Sequence, residues 1–259
     1  MTFWGLTRSK IDSNLLLSPF LYIIIITIAL GITLTTSRFI DLDSKERSIY
    51  TVAPLIGNTA NLGIPLGIAL FGIESVGYTS IINIANVFFI YTVGVFFYAK
   101  SEFTIQKSLQ QIVKIPILWS ALAAISFNLF DIPINSHIDR FLQMGAYATI
   151  VIQLMIFGIY LASIKIKTID LAFSSKIIAI KHFVLPAVGF FVIWVSGADK
   201  YVGAILLMEL IVPLAVNNVN IAALYHCKPQ KVTEAVLTTS IFFIFSIFFY
   251  TKLFEFIGR

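Results

Sequence analysis

Residues 54–72 read PLIGNTANLGIPLGIALFG. The stretch lies within an apolar run long enough to cross a bilayer, yet it holds Asn58, Thr59, Asn61, three internal glycines and a second proline, Pro65. Gly57, Asn58, Thr59 and Asn61 are weak helix formers, and their polar atoms find no partner in hydrocarbon. Pro65 lacks an N–H and frees the carbonyl one turn before it. Non-helical backbone at membrane depth persists only where protein buries it or water reaches it. The pattern predicts a span that breaks near Gly57–Asn58, with Gly57 and Pro65 as helix-breaking positions, leaving two half-helices whose ends face a cavity.

The other half of the chain repeats the pattern. Residues 204–226, AILLMELIVPLAVNNVNIAALYH, place a third breaker, Pro213, between Glu209 and the run Asn217, Asn218 and Asn220. Glu209, Pro213 and Asn217 are four apart, which puts them on one stripe of a continuous helix. A charge near the bilayer midplane costs about 2.5–3.5 kcal/mol on insertion scales, so Glu209 is expected to face protein or water. Between the two segments, residues 80–94 (SIINIANVFFIYTVG) carry Asn83 and Asn86 one turn apart. That face is expected to line the same cavity.

Two interrupted spans in corresponding positions of two halves point to the site of a secondary transporter. Half-helix N-termini offer free N–H groups and positive partial charge to a carboxylate, whereas unwound carbonyls suit a cation. The candidate substrate-binding residues are Gly57, Asn58, Thr59, Asn61, Asn83, Asn86, Pro213, Asn217 and Asn218. Glu209 and Asn220 are candidates for coupling a proton or sodium ion. Asparagine and proline in membrane helices also serve plain interhelical packing. The gathering of these residues in three segments favours a site, whereas Gln153, Asn128 and Tyr160 are read as interhelical contacts. Lys181 and His182 are read as lying near a cytoplasmic helix end, snorkelling or binding lipid headgroups.

Composition fixes the class. Of 259 residues, 58% are hydrophobic and 12% charged, against about 45–50% and about 25% in soluble domains. Eight apolar segments qualify as spans, at about 15–36, 48–72, 76–98, 112–131, 141–163, 176–196, 201–226 and 233–257. The expected class is an all-α polytopic membrane protein, since alternating barrel strands are lacking. The run 15–34 exceeds a signal-peptide core and is read as a span, not a leader. Even span number puts both termini on one side, with Arg8, Lys10, Arg140, Lys200, Lys252 and Arg259. The other side carries Arg38, Lys45, Arg47, Lys100, Lys107, Lys114, Lys165, Lys167, Lys176, Lys181, Lys228 and Lys231. Twelve cations against six make the second side cytoplasmic and turn both termini outward. The net charge of +5 is thus a topology signal and not a nucleic-acid footprint. One cysteine, Cys227, leaves no internal disulfide and no Cys-rich metal site, and is read as a buried or cytoplasmic thiol. No cofactor or metal is expected. Motifs of zinc proteases, serine hydrolases and P-loop enzymes are missing. Asp131 and Asp139, beside Arg140, are read as a solvated outward loop.

The run GNTANLGIPLGIALFG (57–72), the Asn-bearing helix after it, the late MELIVPLAVNN and the helix QMGAYATIVIQLMIFGIYLA (143–162) resemble the auxin efflux carrier family. That family includes bacterial malate-permease-like transporters and the plant PIN-formed auxin exporters. The resemblance implies ten helices in two inverted repeats of five. Helices three to five and eight to ten then form a mobile transport domain, and the remainder a scaffold through which the carrier forms a homodimer. On that mapping the first three spans resemble helices three to five and the last five resemble six to ten, with no counterpart of the first two. Residues 1–98 then hold the first-repeat transport helices, 99–163 scaffold helices, and 164–259 the second-repeat transport helices. Gly57–Asn58 matches the first crossover, Pro213 the second, and Asn86 the substrate-facing position of helix five. A late start codon, a fragment and real loss are the alternatives for the absent helices.

The leading expectation is a carrier of small organic anions in a bacterial-type inner (plasma) membrane, working by alternating access with an elevator movement. A truncated pseudo-carrier acting as a membrane interaction or regulatory protein is the second reading. An intramembrane enzyme using Glu209 is the third, and it needs a second ionisable group within reach.

Overall fold

The computed structural model describes residues 1–9, 11–99, 105–163 and 169–258. Lys10, Lys100, Lys165, Lys167 and Arg259 of the charge count lie outside the described residues, as does Ile164 at the junction of the 99–163 and 164–259 segments, whereas the junction of 1–98 and 99–163 falls at the last residue of the helix Ser75–Ala99. Among the described residues every regular element is helical, and the β contact is one isolated antiparallel bridge between Gly57 and Leu214.

Short α1 (Thr2–Arg8) leads into α2 (Ser13–Thr36) and α3 (Ser44–Val52). After a break come α4 (Thr59–Phe71) and α5 (Ser75–Ala99). Next are α6 (Ile105–Val113), α7 (Pro116–Leu129) and α8 (Ser136–Ser163). The last part holds α9 (Leu171–Ser196), α10 (Lys200–Ile211), α11 (Asn217–Leu224) and α12 (Pro229–Gly258). Among the described residues five stretches are long and apolar enough to cross a membrane: Ser13–Thr36, Ser75–Ala99, Ser136–Ala162, Leu171–Ser196 and Pro229–Lys252. The expected spans 48–72 and 201–226 are each divided, and 112–131 is shortened to Pro116–Leu129. There, Pro116 forces Ile115 into extended backbone (φ −80°, ψ 116°) and separates α6 from α7.

Scarce acidic residues do a structural job at helix starts. Asp12, Asp43, Asp170 and Asp199 each cap a helix by accepting backbone N–H groups. Asp43 and Glu46 form a capping box on α3. Prolines within the helices are compensated locally. The carbonyl of Leu15 that Pro19 leaves free accepts the Ser18 hydroxyl at 2.8 Å. Pro65 and Pro186 each stand just after a π-helical turn, Thr59–Gly63 and Ile180–Val184. Pro65 therefore lies inside the continuous helical stretch Thr59–Phe71 and does not mark the break, the π-helical turn before it accommodating its missing N–H.

Loops gather at two ends. At one, Arg8 clasps Asp139 at 2.6 Å and Asn128 donates to the carbonyls of Leu6 and Ser9. Asn128 is thus the expected interhelical contact. Asp139 is not in a solvated loop: it sits in the first turn of α8 and pairs with Arg8, not Arg140. At the other end, Lys228 bonds Asp43 and Glu46, Lys231 bonds Glu46 and Asp170, and Lys45 donates to the His226 carbonyl. Cys227 is buried there.

The centre of the molecule is α10. Ten consecutive residues, Val202 to Ile211, are buried, as expected of a helix wrapped by protein on all sides. It packs against α2, α4, α5, α9 and α12. By contrast, only 6% of the apolar window of α8 is buried inside the molecule, so α8 lies at its periphery.

A candidate substrate site at two crossed helix breaks

The two breaks meet. Chain 56–58 runs antiparallel to 213–215: Asn58 N donates to Pro213 O at 2.8 Å and Ala215 N to Ile56 O at 3.0 Å. A break inside hydrocarbon would leave these groups orphaned, at several kcal/mol each by order of magnitude. Here each break supplies the other's partners. Side chains complete the accounting. Asn218 Nδ2 donates to Ile56 O at 3.1 Å, Asn86 Nδ2 to Gly57 O at 2.9 Å, and Leu214 N to Thr239 Oγ1 at 3.4 Å.

Polar side chains then form two branches. In the first, Asn86 Nδ2 also donates to Thr59 Oγ1 at 2.9 Å, Thr59 donates to Asn83 Oδ1 at 2.8 Å, and Tyr22 OH donates to Asn86 Oδ1 at 3.2 Å. In the second, Tyr98 OH donates to Asn218 Oδ1 at 3.0 Å. Gly57, Asn58, Thr59, Asn83, Asn86, Pro213 and Asn218 are therefore brought together, all buried. Asn61 is half-buried, and Asn217 and Asn220 are exposed, so these three stand outside the network. The expected stripe of Glu209, Pro213 and Asn217 does not exist. The helix stops at Ile211 and restarts at Asn217, so the spacing of four is not carried across the break.

Three buried polar atoms at this centre have no hydrogen-bond partner: Asn58 Nδ2 and both carboxylate oxygens of Glu209. Glu209 is 0% exposed. Buried polar groups are nearly always satisfied, and an orphan carries a desolvation cost of about 1–3 kcal/mol, more when charged. Gly63 leaves the space that Glu209 fills, since a Cβ there would fall 2.2 Å from Oε2.

Sequence reasoning missed Lys181. It is 1% exposed and His182 0%, so neither snorkels at a helix end. Lys181 Nζ lies against the first break, 3.0 Å from where a Cβ on Gly57 would be. The signal was Asp170. As the cap of α9 it starts that helix at Leu171, not at 176, which sets Lys181 about 15 Å along the axis, deep within a ~30 Å core. Tyr22 and Tyr98 were missed too, because nothing local separates a network tyrosine from an interfacial one.

The family model described as membrane transport protein matches residues 6–115 and 102–251. No curated protein matches the chain. Members of that family are transporters and not enzymes. With its long apolar helices, the protein is an integral membrane protein. The chain belongs to the membrane transport protein family, the group of the auxin efflux carriers.

Proposed function

We propose that the protein is a secondary carrier that moves a small organic anion, a mono- or dicarboxylate, by alternating access at the crossing of residues 56–58 and 213–215. The observation that carries this reading is the crossing itself: two half-helix starts, at Thr59 and Asn217, converge where Asn58 Nδ2 stands unpaired. An anion between them meets N–H donors and the positive ends of both half-helices. Asn58 supplies a direct donor. Asn83, Asn86 and Asn218 hold the breaks open in a fixed geometry, and Asn61 and Asn217 stand one turn outward, where an entering anion would pass. Glu209 is the group that couples a proton or cation, and Asn220 lies with Asn217 on the exposed side, outside the network.

The transport unit comprises residues 1–98 and 164–259, moving as an elevator against 99–163, which forms a homodimer. It works in an inner or plasma membrane with both termini outward. Flux of labelled mono- and dicarboxylates into vesicles holding the purified protein, with and without proton or sodium gradients, tests the reading. Uptake of at least one carboxylate above protein-free vesicles is expected. No uptake of any carboxylate, in either direction, overturns it and favours the interaction-protein reading.

A further inference from the structure

Lys181 and Glu209 are fully buried ionisable groups on adjoining helices, α9 and α10, and each is the other's charged neighbour. They approach the first broken segment at two glycines, Lys181 at Gly57 and Glu209 at Gly63. Yet no ion pair within 4.0 Å joins them, and neither Glu209 oxygen has a hydrogen-bond partner. A buried salt bridge that serves only stability survives on close geometry and satisfied lone pairs. The loop-end pairs of this protein close to 2.6–2.9 Å. This one stays open, beside the orphaned Asn58 amide. The remaining titratable neighbours are Tyr22 of α2, which faces Glu209, and His182, next to Lys181. From the first break and from α4, α5 and α12 the polar groups at the crossing are uncharged: Asn58; Thr59; Asn83, Asn86 and the hydrogen-bonded Tyr98 hydroxyl; and Thr239.

We infer that Lys181 and Glu209 form a switchable charge pair: the anion replaces the Glu209 carboxylate as counter-ion of the Lys181 ammonium, and Glu209 takes up a proton, so anion and proton travel together. This rests on the carrier reading above and names its coupling. One O–H bond forms on Glu209 as one breaks in the hydronium ion that supplies the proton, on the side from which the anion enters. For a monocarboxylate the charge of the centre then balances in both states; a dicarboxylate keeps its second charge and crosses with one net negative charge. Empty, it holds an ammonium and a carboxylate; loaded, an ammonium, the anion's carboxylate and a neutral Glu209. A mobile domain crosses a bilayer most easily when neither state carries unpaired charge.

The test uses the full chain in vesicles, with a panel of lactate, benzoate, malonate and malate. For any anion that wild type moves, an inward proton gradient accelerates uptake. E209Q removes that dependence and moves one more negative charge per anion, read as a response to membrane potential. K181Q weakens half-saturation about 10- to 100-fold, the range for a lost charge-assisted contact. K181Q/E209Q removes both charges. It melts within the wild-type range even where a single variant does not, and its residual flux ignores the gradient. A proton dependence unchanged in E209Q, or restored in the double variant, overturns the switch while leaving the carrier standing. A wild type that moves none of the four, and whose melting none of them shifts, overturns the anion reading and the switch together.

Discussion

Asn86 is the side chain on which the first break depends, and its replacement gives the sharpest stability test. Its amide nitrogen donates at 2.9 Å both to Gly57 O and to Thr59 Oγ1, and its oxygen accepts Tyr22 OH at 3.2 Å. In Asn86→Ala, Thr59 keeps its bond to Asn83. The Gly57 carbonyl and the Tyr22 hydroxyl lose the partners described above. Two buried polar groups left unsatisfied cost about 1–3 kcal/mol each, so the loss is about 2–6 kcal/mol. Asn83→Ala removes one acceptor and should cost about 1–3 kcal/mol. Unfolding in mixed detergent, followed by tryptophan fluorescence, measures both. A loss at Asn86 below about 0.5 kcal/mol, the range of an inconsequential surface change, refutes the claim that the breaks are held by this network.

Gly63→Ala should destabilise by about 1–3 kcal/mol through overpacking against Glu209, and more than Gly57→Ala, whose nearest contact is 3.0 Å instead of 2.2 Å; melting of the two variants ranks them. Asn58→Leu and Asn218→Leu should abolish carboxylate flux while membrane insertion, read by fractionation, is retained. Lys228 and the backbone amides of Glu46 and Lys45 hold the Asp43 carboxyl down to about 2. Its folded value lies below the ordinary 3.8, so this contribution is complete above about pH 4 and is lost as pH falls toward 2. The Asp43 side chain is 50% exposed, so solvent screening limits the effect to about 0.2–1 kcal/mol. Asp43→Asn keeps a capping residue and should remove that pH-dependent part in denaturation curves at low salt; a difference that persists unchanged in 1 M salt would contradict its electrostatic origin.

The breaks themselves were legible because glycine, asparagine and proline are costly in hydrocarbon, and cost at a fixed depth implies a compensating structure. Gly57–Asn58 and Pro213 are where the chain leaves the helix. Their direct pairing was not legible, since no local pattern says which orphaned amide meets which carbonyl. Periodicity misled wherever it was carried through a break, as with Glu209 and Asn217. Pro65 was misplaced because a proline that breaks a helix and one that a π-helical turn accommodates look alike in sequence. Lys181 and His182 were misread because the start of α9 was set from hydrophobicity, five residues past its first residue, Leu171. Asp139 had its partner in Arg8, 131 residues away, beyond any local reading.

An anion resting at the crossing shields the turn just beyond the first break from a thiol reagent. In a Cys227→Ser background, Asn61→Cys places a thiol on the half-buried turn just beyond the first break, outside the hydrogen-bonded network. The account predicts that a water-soluble maleimide labels this position, and that a carboxylate the protein transports slows the labelling in a concentration-dependent way. Labelling at the same rate with every transported anion, at saturating concentration, would contradict it.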